Sequence, residues 1–220
     1  MPTALRVGLG LWMSAVILGT FLYVPPAQGF AYPEAARIVI FHVPCSIAAL
    51  VAYIVSAIYA AGYLRGARAI SDEKSAISAG LGLLFTVLAT ATGMIFAKIQ
   101  WGRPWSWDPR QTSILMLMML YAAYFMLRTA IPGRNARARI SAAYSILAAL
   151  VMPFLLIVLP RIMTSIHPND TLTGGGGLSP EYRAALMAAA IGYIWLYVWL
   201  FRIQVRVAEF VPAARRVRVE

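Results

Sequence analysis

Along this chain, long apolar runs alternate with short basic or Gly/Pro-rich gaps, and the runs sit close to the roughly 20 residues a helix needs to cross a bilayer core. Six such runs predict six transmembrane helices, over about 7–24, 38–62, 76–97, 110–127, 140–159 and 184–201. Between them lie expected external loops at about 25–37, 98–109 and 160–183, alternating with two basic loops. The reading is an all-α integral membrane protein, residues 1–220 forming a single six-helix domain. The first run is long for the apolar part of a cleaved signal peptide, so it is read as a retained span.

Local signals sharpen several boundaries. Asp108 followed by Pro109, with Gln111 three residues after the aspartate, spells a helix N-terminus with a capping-box partner. Pro44 is expected in the first turn of the second span, where no internal donor is lost. Pro153 is expected to kink the fifth span. The run Gly174 to Gly177 lacks the Lys-Ser/Thr ending of a phosphate-binding loop and reads as a flexible linker.

Composition agrees with the pattern: 61% of the 220 residues are hydrophobic, only 12% are charged, and mean hydropathy is +0.73. The formal net charge of +11 could suggest nucleic acid. Its distribution argues against that, because thirteen of the nineteen Lys and Arg fall in the N-terminus, the two basic loops and the tail, against six in the other three loops. That asymmetry is the positive-inside bias, and it places both termini in the cytoplasm. The single cysteine, Cys45, excludes an intrachain disulfide and a Cys-x-x-Cys motif, so any haem is held without paired thioethers.

The unusual stretch is Trp101-Gly102-Arg103-Pro104-Trp105-Ser106-Trp107-Asp108-Pro109-Arg110, which holds three of the six tryptophans. An interfacial aromatic belt accounts for scattered indoles such as Trp12, Trp195 and Trp199 but poorly for three in one Gly/Pro-shaped loop. Indole faces suit a flat aromatic ligand, and the guanidinium groups of Arg103 and Arg110, or the Lys98 ammonium, suit its carboxylates. The only two histidines, His42 and His167, fall on the same side as this loop in a six-span topology. Two imidazoles can ligate one haem iron from opposite faces. Asp108 reads as a helix cap and partner of Arg110 that fixes the exit of the loop, and Met94, Met116, Met118 and Met119 read as packing residues.

Trp101-Gly102-x-x-Trp105-x-Trp107-Asp108-x-Arg110-x-Thr112-Ser113 resembles the tryptophan-rich signature of the haem-handling proteins of cytochrome c biogenesis, and length, span number and flanking histidines resemble the CcmC family among them. The resemblance covers the chain from about Arg37 to the sixth span. It implies that the Trp-rich segment is an external haem-binding loop, with Trp101, Gly102, Arg103, Trp105, Trp107, Asp108 and Arg110 at the site. It further implies that His42, in Phe41-His42-Val43-Pro44, and His167 are axial iron ligands. Gln111, where the family pattern is apolar, and Pro168-Asn169 after His167 depart from that pattern. By the same resemblance the cargo is non-covalent haem b, and the recipient is the periplasmic haem chaperone CcmE. The partners are the ABC-type proteins CcmA and CcmB and the small membrane protein CcmD, in the bacterial inner membrane. No nucleotide-binding motif exists in this chain, so no enzymatic activity of its own is expected and ATP use would lie in a partner. Two other classes fit six spans. A membrane haem-b or quinone oxidoreductase requires a second cofactor or histidines inside the spans, and a small-solute permease requires polar groups within them.

Overall fold

A computed structural model describes residues 2–167 and 178–217, with side chains as far as residue 210. The elements are α1 (Thr3–Leu22), a 3-10 turn (Ala35–Ile38), α2 (Val39–Gly66), α3 (Ala69–Trp101), α4 (Pro109–Ala130), α5 (Arg134–Pro153), a π-helical turn (Phe154–Val158), α6 (Leu159–Ile162) and α7 (Pro180–Val217). Among the described residues six stretches are long and apolar enough to cross a membrane, as the hydropathy pattern predicts. The glycine run and Pro168-Asn169 lie outside the described residues, as does Arg218 of the tail.

The helices outrun the apolar stretches that announced them. Where hydropathy suggests two basic loops, α2 and α3 are joined by Ala67 and Arg68 alone, and α4 and α5 by residues 131–133. Hydropathy marks only the part of a helix that lies in hydrocarbon, whereas backbone bonding continues into the polar boundary. The joint after α2 is sharp because Ala67 adopts φ 49°, a left-handed helix end taken here without glycine. One consequence is a buried ion pair where loops were expected: Arg128 in the last turn of α4 grips Asp72 near the start of α3 with bonds of 2.6 and 3.0 Å. Each charge also lies at the helix end whose dipole favours it.

α2 is the central element, packed along α3, α5 and α7, while α1 lies against α7. Small residues permit the close approach of α2 and α3, as in other membrane helix pairs. At Gly82 a Cβ would stand 2.5 Å from the Tyr53 ring, so the tyrosine occupies space that only glycine leaves open. Tyr53 Oη meets Thr86 Oγ1 at 2.9 Å and its ring stacks on Tyr121 at 3.5 Å between centroids. Ser56 bonds Ser75 and Ser145, and Ser78 Oγ donates to the Ala52 carbonyl and meets Tyr197 Oη at 2.7 Å. The interior is richer in hydroxyl groups than the apolar runs suggest, and those of Tyr53, Ser56 and Ser78 bond helix to helix.

Two prolines interrupt the helical ladder, and Pro44 does so against expectation. Pro44 stands inside α2, beyond a helical path that already begins at Ala35, so it removes a bond from the ladder and not merely a free terminal donor. Pro153 ends the α-helical part of α5, and a wider π-turn follows before Leu159–Ile162 resumes. Pro153 and Pro160, lacking N–H groups, bracket the segment where the regular ladder fails.

A histidine-lined cavity under the Trp-rich segment

Segments 23–38, 102–108 and 163–167 gather at one end of the bundle. Beneath them lies a cavity of about 420 Å³ between α2, α3, α4 and the end of α5. Its walls are mostly apolar, including Val39, Val43, Phe96, Ile114, Leu156 and Ile157. The polar groups that reach it include both histidines, Arg110, Arg161 and Gln111, with Trp105 at its edge.

His42 projects from the first turn of α2 onto α3. Its Nδ1 lies 2.9 Å from the Ala89 carbonyl and 3.1 Å from Thr92 Oγ1. A carbonyl can only accept, and the Thr92 hydroxyl already donates to the carbonyls of its own helix, at 2.7 Å to Leu88. Nδ1 must therefore carry the proton, which leaves the lone pair of the imidazole on Nε2.

His167 reaches the same state by another route. Its Nδ1 lies 2.8 Å from Oδ1 of Asp108, and no described residue hydrogen-bonds Nε2. Burial holds this imidazole below its ordinary pKa; Asp108 opposes that shift and Arg110 adds to it. The contact is an imidazole Nδ1–H donating to a carboxylate, and the lowered pKa favours the neutral ring with its lone pair on Nε2. Trp101 buttresses the ring edge-to-face at 4.7 Å and is itself packed on Phe96 at 5.2 Å.

Asp108 carries more than the helix cap predicted for it. Oδ1 accepts the Arg110 N–H at 2.9 Å, which is the cap, while Oδ2 accepts Ser165 Oγ and the Ile166 N–H, both at 2.8 Å. One carboxylate thus starts α4, pins the segment before His167 and orients the histidine. Burial raises the Asp108 carboxyl pKa, but the bonds from Arg110, Ile166 and Ser165 and the proximity of His167 outweigh it, and the group stays below the usual carboxylate range.

Gln111 does not close a capping box on Asp108. Its Oε1 accepts the Ser106 N–H at 2.8 Å and its Nε2 donates to the Pro104 carbonyl at 3.3 Å, so it folds the loop from inside. This explains a polar residue at a buried position of an apolar pattern. Gly102 ends α3 with φ 80°, and Lys98 Nζ donates to its carbonyl at 3.1 Å. The lysine offered as a carboxylate partner is therefore engaged in closing the helix.

The predicted aromatic platform divides into three roles. Trp101 belongs to the last turn of α3 and not to the loop, and it supports His167. Trp105 faces the cavity. Trp107 packs edge-to-face on Trp105 at 5.7 Å but is 69% exposed, with a left-handed φ of 58° held by Thr112 Oγ1 donating to its carbonyl. Arg103 is exposed on the loop and does not line the cavity, whereas Arg161, a residue no motif flags, does. Arg161 comes after the π-turn, and nothing in the local sequence announces where that turn aims it.

Residues 1–219 match a family described as "Heme exporter protein C". The chain is similar to the heme exporter protein C of Bradyrhizobium diazoefficiens, at 27% identity over 86% of this chain and 74% of that one. It is also similar to that of Escherichia coli, at 29% identity over 81% and 71%. A Marchantia polymorpha protein described as ccmC-like, mitochondrial and of cytochrome c biosynthesis is 32% identical over 52% of this chain and 50% of its own.

Proposed function

The chain belongs to the heme exporter protein C family, a group that handles haem for cytochrome c biogenesis, and from that premise we propose that it holds haem b as cargo, without covalent attachment, between His42 and His167. The observation that carries the reading is the matched state of the two imidazoles. Each commits Nδ1–H to an acceptor, leaves the Nε2 lone pair, and lines one apolar cavity. Outer acceptors of this kind fix the tautomer and aim of a metal-bound histidine. Among the described residues no group of three or more His, Cys, Asp or Glu could hold a bare ion. A pair of histidines suits a metal that brings its own equatorial ligands.

The other residues take roles consistent with that cargo. Trp105 supplies an aromatic wall, Trp101 keeps His167 in place, and Asp108 orients it. Two guanidinium groups, Arg110 and Arg161, line the cavity. Their planar forks suit two carboxylates, as on the propionate edge of haem. This position favours Arg110 and Arg161 as propionate partners over Arg103 and Lys98, neither of which lines the cavity. With only two histidines in the chain, there is no second ligand pair to carry electrons across the bilayer, which disfavours the oxidoreductase reading.

The distribution of Lys and Arg supports both termini in the cytoplasm and the cavity at the periplasmic face of a bacterial inner membrane. The recipient is then the periplasmic chaperone CcmE, with CcmA, CcmB and CcmD as membrane partners and ATP hydrolysis in the partners. The test is the visible spectrum of the purified protein, co-expressed with the chaperone, as wild type and as His42→Ala and His167→Ala. A low-spin haem spectrum that each substitution weakens or converts is expected. Absence of haem from the wild type with the chaperone present would overturn the reading.

A further inference from the structure

The wall of α3 that faces His42 is built from small residues, Ala89, Thr92 and Gly93. Ala89 supplies its carbonyl and Thr92 its hydroxyl oxygen to Nδ1. Gly93 supplies room: a Cβ there would stand 2.8 Å from His42 Cε1, 3.3 Å from Nδ1 and 3.6 Å from Nε2. The first distance is closer than side-chain carbons approach, and the crowded atom is the ring carbon between the two nitrogens. The imidazole is a rigid plate with two torsions, and its Nδ1 is already tied. It cannot retreat from a methyl at position 93 without lengthening the Nδ1–H bond to Ala89 or turning Nε2 from its aim.

We propose that Gly93 is a positioning residue for His42, its missing side chain setting the pose in which Nε2 is presented to haem iron. The inference rests on His42 being an axial ligand. Gly93 touches the histidine and lines the cavity, and it meets the local rule that a glycine inside a helix, which weakens the helix relative to alanine, has a reason in close approach. Gly80 in the same helix is a contrast, because a Cβ there meets only Phe125 at an ordinary 3.6 Å.

The experiment compares visible spectra and hemin titrations of the full-length protein in detergent for wild type, Gly93→Ala, Gly80→Ala and His42→Gly. The expected result for Gly93→Ala is a low-spin spectrum converted toward high spin and hemin affinity reduced about 10–100-fold, as for other outer-shell losses. Added imidazole should restore the low-spin bands, as it should in His42→Gly, while Gly80→Ala matches wild type. A Gly93→Ala protein with wild-type bands and affinity would overturn the proposal. If Gly93→Ala does not accumulate, the Gly93→Ala, His42→Gly double variant decides. Recovery of accumulation when the ring is removed places the clash at His42, and failure in both backgrounds overturns the assignment. A His42→Gly spectrum equal to wild type would instead sink the axial-ligand reading itself, which separates the two failures.

Discussion

The Nδ1–H of His167 donates to Oδ1 of Asp108 at 2.8 Å, so the carboxylate that caps α4 also orients a histidine 59 positions further along the chain. A residue legible as a helix cap is thereby part of the candidate site, and its loss has two separable effects.

Asp108→Asn keeps an oxygen for the cap but removes the anionic acceptor from His167. Hemin affinity should fall about 10–100-fold, and the amide NH2 set against the Ile166 N–H, which loses its acceptor, should cost about 1–3 kcal/mol of stability in detergent. Asp108→Ala should in addition lose about 1 kcal/mol of stability through the cap. Equal affinity losses without any stability difference between the two variants would contradict this division of labour.

The three tryptophans should rank by position. Trp105→Ala, at the cavity, and Trp101→Ala, behind His167, should each release haem during purification more than Trp107→Ala, whose ring is largely exposed. Haem retained per protein, read from the Soret-to-280 nm ratio corrected for the lost indole, is the measurement.

Arg110→Gln and Arg161→Gln should each erode the preference for free-acid haem over its dimethyl ester. Charge-assisted hydrogen bonds contribute about 1.5–3 kcal/mol, so roughly tenfold or more in the affinity ratio is expected per arginine. Arg103→Gln should leave the ratio unchanged.

Away from the site, Arg128→Ala strands Asp72 with side-chain exposure of only 9%. A loss of about 3–5 kcal/mol is expected, recovered in part by Asp72→Ala, Arg128→Ala. Haem bound per folded molecule should not change, since the pair lies at the opposite end of the bundle.

Gly82→Ala should also destabilise by about 1–3 kcal/mol, because the added methyl meets the Tyr53 ring. Comparing its detergent melting temperature with that of Gly80→Ala isolates the clash from the general effect of adding a methyl to α3.

Much of this was readable from the chain. The number of spans follows from apolar length, and the start of α4 follows from Asp108 and Pro109, because a cap is a local interaction. The Trp-rich segment and both histidines do converge at one end of the bundle. What was not readable depends on partners far along the chain. Gln111 fits a capping box on spacing, yet its amide is taken by Ser106 and Pro104 once the loop folds. Lys98 offers a cation on paper, but its ammonium donates to the Gly102 carbonyl and does not line the cavity. Ala89, Thr92 and Gly93 look like three more small helix residues until α2 brings His42 against them. Arg161 belongs to no motif, and its direction is set by irregular backbone.

That irregular backbone makes the site sensitive to phase. A turn widened by one residue rotates everything after it by about 100° relative to an unbroken α-helix. The turn between Pro153 and Leu159 therefore works as an angular offset that brings Arg161 and the approach to His167 round to the cavity. Deleting one residue between 154 and 158 would restore an ordinary helix of nearly the same hydropathy and length. It would also swing the arginine away from the cavity, disrupting the candidate site through rotation alone with both histidines and both arginines still in the sequence.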